Sequence, residues 1–158
     1  MNARKVLGLG ILAFLVGGCS SPGHACTEIG CQDGLMLSVT PNSSWPHGEY
    51  RFIVAIDDIT STCVGTLPLP ACGTAAIACE GPPIPIGESG CALPPAEHAF
   101  AGFTLTGAPA RASVEVQLDG QTLVSKSWTP TYKTVQPNGS NCEPTCRNAS
   151  VALTIPFE

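Results

Sequence analysis

The sequence predicts an all-β domain: an antiparallel β-sandwich of about seven or eight short strands with long, disulfide-stapled loops. Three observations predict it. Apolar and polar residues alternate in several runs, the period of a half-buried strand. Asp119-Gly120 stands between two such runs, the strongest short-range signal of a β-hairpin. Eight cysteines follow Cys19, and no segment after it reads as a helix.

The chain opens with Arg4 and Lys5, then a nearly unbroken apolar run from Val6 to Val16, then Gly17, Gly18 and Cys19. A positive start, a short apolar stretch and small residues at its end form a secretory signal. The run is about eleven residues, whereas a spanning helix needs roughly 20. Val16-Gly17-Gly18-Cys19 resembles the lipobox of bacterial lipoproteins. That resemblance implies a diacylglyceryl thioether on Cys19, cleavage after Gly18, and acylation of the new amine with a fatty acid such as palmitate. Residues 1–18 are then the signal peptide, 19–30 the lipidated N-terminus and tether, and 31–158 one sandwich domain. Two or three acyl chains anchor a protein stably. Ser20 follows the cysteine where aspartate would signal inner-membrane retention in enteric bacteria, so the resemblance points to the outer membrane.

Leu35 to Thr40 alternates, with Leu35, Leu37 and Val39 on one face. Pro41 to Gly48 has turn composition. Tyr50 to Asp57 is the strongest strand, with Tyr50, Phe52, Val54 and Ile56 facing one way. Asp57-Asp58 turns the chain, and Ile59 to Val64 returns as its partner. Two adjacent aspartates also suit calcium, but a solvated turn is the simpler reading.

Gly65 to Ala96 holds seven prolines, five glycines and three cysteines. Proline lacks the ladder donor, so few central strands form here. The expectation is a stapled loop region with one short strand at Thr74 to Cys79. Leu67, Leu69, Ile84 and Ile86 lie between prolines, where they form no strand face and are expected to be displayed as a recognition loop. Gly87-Glu88-Ser89-Gly90 lacks one spacer of the G-x-S-x-G nucleophile elbow.

Ala99 to Thr106 reads as a strand, followed by the hairpin Arg111 to Leu118 and Gln121 to Trp128. A two-residue turn would pair Val116 with Leu123 and Val114 with Ser125, and set Glu115 within ion-pair reach of Lys126. Pro130 breaks the strand, Thr131 to Val135 resumes it, and Ser150 to Ile155 closes the chain. This spacing resembles an immunoglobulin-like sandwich without the Cys…Trp…Cys core. The whole chain also resembles, loosely, the small Cys-rich, Ala/Gly/Pro-heavy lipoproteins of myxobacteria, a likeness that implies no activity.

Of 158 residues, removal of 1–18 leaves 140, one domain by length. Arg4 and Lys5 leave with the signal, so five cations face twelve carboxylates, a net charge of −7. No basic cluster exists, which excludes nucleic acid as a partner class and leaves membrane attachment to the acyl chains.

Cys26, Cys31, Cys63, Cys72, Cys79, Cys91, Cys142 and Cys146 form an even set in an exported chain, which reads as four disulfides. None of their spacings is the x2 knuckle of a zinc site, and none is the C-x-x-C of a redox enzyme. No metal or cofactor is expected. Eight cysteines allow 105 pairings; both the local pairs Cys26–Cys31 and Cys142–Cys146 and a crossed arrangement of these four remain open. The histidines are His24 in the tether, His47 in a turn and His98 at a strand edge, with no catalytic motif around them. Glu97 and His98, as neighbours on a strand, point apart. Asn42, Asn138 and Asn148 match the N-x-S glycosylation pattern and are expected to be bare.

The sequence therefore leads to a lipid-anchored envelope protein: a non-enzymatic binding or interaction module whose partner is an envelope or extracellular protein or glycan. The alternatives are a purely structural envelope lipoprotein and a secreted-type hydrolase. A cleft holding His47 or His98 beside a serine or aspartate would favour the last.

Overall fold

The computed structural model describes residues 26–70, 73 and 76–157. The signal segment, Cys19, His24 and Cys72 lie outside them. The described chain is an all-β, immunoglobulin-like sandwich of two five-stranded sheets. The strands are β1 (Gly34–Pro41), β2 (Gly48–Ile56), β3 (Ile59–Leu67), β4 (Ile77–Glu80), β5 (Ile86–Ser89), β6 (Ala99–Thr106), β7 (Ala112–Leu118), β8 (Gln121–Trp128), β9 (Lys133–Val135) and β10 (Cys146–Ile155). The first sheet runs β5-β6-β1-β10-β9 and the second β4-β3-β2-β7-β8. Every pairing is antiparallel except β1 with β10. The only helical turn among the described residues is 3₁₀, Pro95–Glu97.

Period-2 alternation builds the core. Leu35, Leu37 and Val39 of β1 face Tyr50, Phe52 and Val54 of β2 across the sandwich, with Phe103 and Leu105 of β6 and Val114 and Val116 of β7 beside them. Phe52 meets Phe100 edge-on at 4.9 Å and Phe103 at 5.3 Å. Gly102 is required where β6 crosses β1: its φ is +147°, and a Cβ there would collide with the Leu37 carbonyl oxygen.

Four expectations are corrected. First, Leu67, Leu69 and Ile84 are buried and Ile86 packs against them, so these side chains are core rather than display. β3 continues past Val64, and its inward set Ser61, Cys63, Gly65, Leu67 extends by the same period to Leu69. Second, two strands form in the proline-rich region, β4 starting at Ile77 and β5 at Ile86. Both are four residues long and both are sheet edges, where a missing donor is tolerated.

Third, the hairpin register holds only at its turn. Leu118 pairs with Gln121 and Gln117 with Thr122, but a bulge then sets Val116 opposite Val124 and Val114 opposite Lys126. The extra residue flips the rest of β8. Glu115 consequently accepts from Gln117 Nε2 and Thr122 Oγ1, while Lys126 donates to the Ala152 carbonyl and lies over Trp128. A bulge and an inward-pointing lysine on an edge strand block sheet extension.

Fourth, the tether ends earlier than residue 30. Cys26 bonds Cys142 and Cys31 bonds Cys146, the crossed arrangement, so residues 26–33 belong to the domain. Asn138 completes this clamp. Its Oδ1 accepts from Thr27 Oγ1 and Ile29 N, and its Nδ2 donates to the carbonyls of Ile29 and Glu143. Asp33 adds a two-pronged ion pair with Arg147 and accepts from its backbone N–H.

Candidate functional site

Strand direction assigns each loop to an end. β1 and β10 start together, so the 26–33 segment and the 136–145 loop share one end, the base. Asp57-Asp58 and Arg111 lie there too, because β2 ends and β7 begins beside them. Asp57, with φ +50°, donates its backbone N–H to the Arg111 carbonyl and accepts from the Arg111 backbone N–H with Oδ1. It is a turn residue, and no cluster of three metal-ligating side chains occurs among the described residues.

The opposite, distal end gathers the β1–β2 loop, the end of β3 and the 90–98 loop. Between them lies a half-open pocket of about 240 Å³ lined by Ser44, Trp45, His47, Leu67, Pro68, Ala96, Glu97, His98 and Ala99. Its parts are held by packing. Trp45 meets Tyr50, Phe100 and Phe157 edge-on at 5.3, 5.5 and 6.1 Å. Tyr50 Oη donates to the Pro46 carbonyl, and burial, with the Asp119 carboxylate as a lesser cause, pushes its pKa up to about 12. Asn42 exchanges two bonds with Phe157, tying the loop to the chain after β10. Gly90, at φ +77°, lets the 90–98 loop fold back on Glu97.

The structure brings together His47 and His98, which sequence reasoning left apart in a turn and at a strand edge. His98 is 7 % exposed. Its Nε2 lies 3.1 Å from the Leu93 carbonyl, and a carbonyl only accepts, so Nε2 carries the proton. Nδ1 is then a buried acceptor with no partner. The Glu97 side chain is exposed, and its carboxylate makes no hydrogen bond or ion pair among the described residues. Ser44 and His47 line the same pocket, the juxtaposition a hydrolase needs. Among the described residues, however, no serine hydroxyl bonds either imidazole.

A second concavity, about 340 Å³, lies on the outer face of the first sheet, lined by residues such as Met36, Ser38, Ala101, Thr104 and Val151. It is the larger and more apolar, but no ionisable side chain enters it. Convergent polar groups distinguish a binding site from a crease between strands, and on that ground the distal pocket is preferred to this crease; in a basal concavity of about 290 Å³ Asp57 and Arg111 are already bonded to each other. The three N-x-S asparagines are all engaged. Asn42 and Asn138 bond as described, and Asn148, with its amide turned to donate, reaches the Gln32 and Arg147 carbonyls. Of the cysteines, Cys63 and Cys79 bridge directly across β3 and β4, and Cys91 is also disulfide-bonded.

No protein-family model, curated protein or solved structure matches the chain. Among the described residues no helix is long and apolar enough to cross a membrane.

Proposed function

We propose that this chain is a lipid-anchored protein of the bacterial cell envelope, held on the outer membrane through Cys19, and that its sandwich is a non-enzymatic binding module. One observation carries the reading. The chain enters the sandwich through a doubly disulfide-clamped base, while the pocket with its histidines and tryptophan lies at the other end. Six residues separate Cys19 from Cys26, a reach of roughly 20 Å when extended. Strands of eight or nine residues add roughly 25–30 Å. A base held near the lipid therefore turns the pocket away from the membrane, towards a partner.

The test has two arms. Cys19→Ala should leave an uncut precursor, and normal maturation of that variant sinks the anchor. A photo-cross-linking residue at His47 should capture a partner in the native envelope, whereas one at Glu143 should not; capture only from Glu143 sinks the distal pocket. Because Ser44 and His47 share the pocket, a hydrolase is the second reading, and labelling of Ser44 by a serine-directed phosphonate would replace binding with catalysis.

A further inference from the structure

We propose that the outer face of the first sheet is the contact between two copies of this chain, related by a two-fold axis, with Met36 of each copy seated in the hollow beside Met36 of the other. The inference goes beyond the binding reading and does not depend on the distal pocket.

Charge singles out the face. The processed chain carries five cations against twelve carboxylates, so two copies repel wherever carboxylates meet. No residue of β1 or β6 is ionisable, and in β10 the last charge is Arg147. The rows Thr104–Met36–Ser150 and Gly102–Ser38–Ala152 run side by side across these three strands. The outer face of the second sheet differs, with Glu49, Arg51 and Glu115 on its inner strands β2 and β7. The Ser38 hydroxyl donates to the Val151 carbonyl, so it keeps a partner when the face is covered.

Shape indicates the occupant. Met36 is 63 % exposed, more than any other large apolar side chain among the described residues. It stands on the middle strand of the sheet, whereas Ile29, Ile59, Leu93 and Val135 lie in loops or at strand ends. Beside it opens the apolar concavity of about 340 Å³, whose wall includes Ala101 and Thr104. A knob and a hollow on one face make that face complementary to itself, the condition of an isologous contact. Methionine is unbranched and polarisable and fills irregular apolar gaps.

Extent agrees. Five strands, the three inner ones long, span roughly 25 Å by 20 Å, about 500 Å² a side and about 1,000 Å² in total, the threshold for a specific contact. Growth through the sheet edges is blunted, since β9 has three residues and β5 has four with a bulge. With both copies anchored in one membrane, the axis runs along the strands, which keeps both bases at the lipid and both distal pockets free.

A photo-cross-linking residue at Ser150, in cells expressing the full chain, tests the contact. It should yield a product made of two copies of this chain. The same residue at Ser125, exposed on the outer face of the second sheet, should not. Met36→Lys leaves the core untouched. It should cut the yield about tenfold or more, because each dimer would enclose two unpaired ammonium groups, while the melting temperature of the purified variant stays that of the parent. Thr104→Glu should do the same with carboxylates. Co-expression of the two variants under different tags should restore a mixed product, since the new ammonium of one copy then meets the new carboxylate of the other. Equal yield from Ser125, or a yield that Met36→Lys leaves unchanged, overturns the proposal. A Ser150 product that holds another protein, a glycan or a lipid and no second copy also overturns it, and gives the face to that partner. Capture from His47 is scored separately, so failure of this contact and failure of the distal pocket are distinguished.

Discussion

The base and the distal end solve the same problem with different forces. At the base, residues 26–33 have almost no apolar side chain to bury, and two long-range disulfides, the Asn138 amide and the Asp33–Arg147 pair hold them. At the distal end, Trp45, Tyr50, Phe100 and Phe157 pack edge to face, and a hydroxyl and an imidazole each close a loop onto a carbonyl. The difference fits the proposed function. An end anchored in lipid would carry load, which covalent bonds bear, and a recognition end would need shaped, partly apolar walls, which ring packing supplies.

The largest expected effect tests the base. Cys26–Cys142 and Cys31–Cys146 close loops of 116 and 115 residues. Once either exists, the other closes only the short circuit between neighbouring cysteines. By chain entropy, removing one pair should cost about 2–3 kcal/mol, whereas removing both should cost about 7. Cys63–Cys79, with a separation of 16, should cost about 3 kcal/mol alone. Denaturant midpoints of the three Cys→Ser sets decide it. Additive losses from the two basal pairs would mean that they do not act as one clamp.

How much of this was legible from residues alone differs between the ends. The strands were, because alternation is local: Ala99–Thr106 and Gln121–Trp128 have the bounds the sequence predicts. The hairpin register was not, because nothing in Leu123-Val124 announces a bulge. The crossed bridges were not, since pairing is decided by where β1 and β10 start side by side, and parallel pairing across more than a hundred residues leaves no local trace. The burial of Leu67 and Leu69 could have been found by carrying β3's alternation through Pro68 instead of stopping at Val64. The meeting of His47 with His98 joins loops some fifty residues apart, and only Trp45, a large apolar residue in a turn, hinted that something packs there.

A smaller effect tests the distal end from the alkaline side. Tyr50 is fully buried and its hydroxyl donates to Pro46. Its pKa is about 12 folded against 10.0 unfolded, so unfolding releases a proton between those values. The stabilisation is complete below pH 10 and is lost as pH rises towards 12, by something on the order of 2 kcal/mol. Tyr50→Phe should flatten that limb of the stability curve. An unchanged alkaline limb in Tyr50→Phe would show that the loss arises elsewhere than in this end.

The smallest effect belongs to the base on the acid side. Arg147 holds Asp33 below its ordinary 3.8, first through its backbone N–H, then through its guanidinium. A depressed carboxylate stabilises the fold above its unfolded pKa, and that contribution disappears as pH falls through the folded value. The pair is open to solvent, where such pairs contribute little and are weakened by salt. Asp33→Asn should therefore lower stability slightly at neutral pH and match the parent protein well below pH 3.8. The backbone bond from Arg147 decides the salt response: part of it survives in the amide, whose oxygen still accepts. Raising the salt should thus shrink the difference between parent and variant without abolishing it. If hydrogen exchange at the Arg147 amide is as slow in Asp33→Asn as in the parent at neutral pH, the charge of Asp33 adds nothing, and the disulfides and Asn138 alone hold the base.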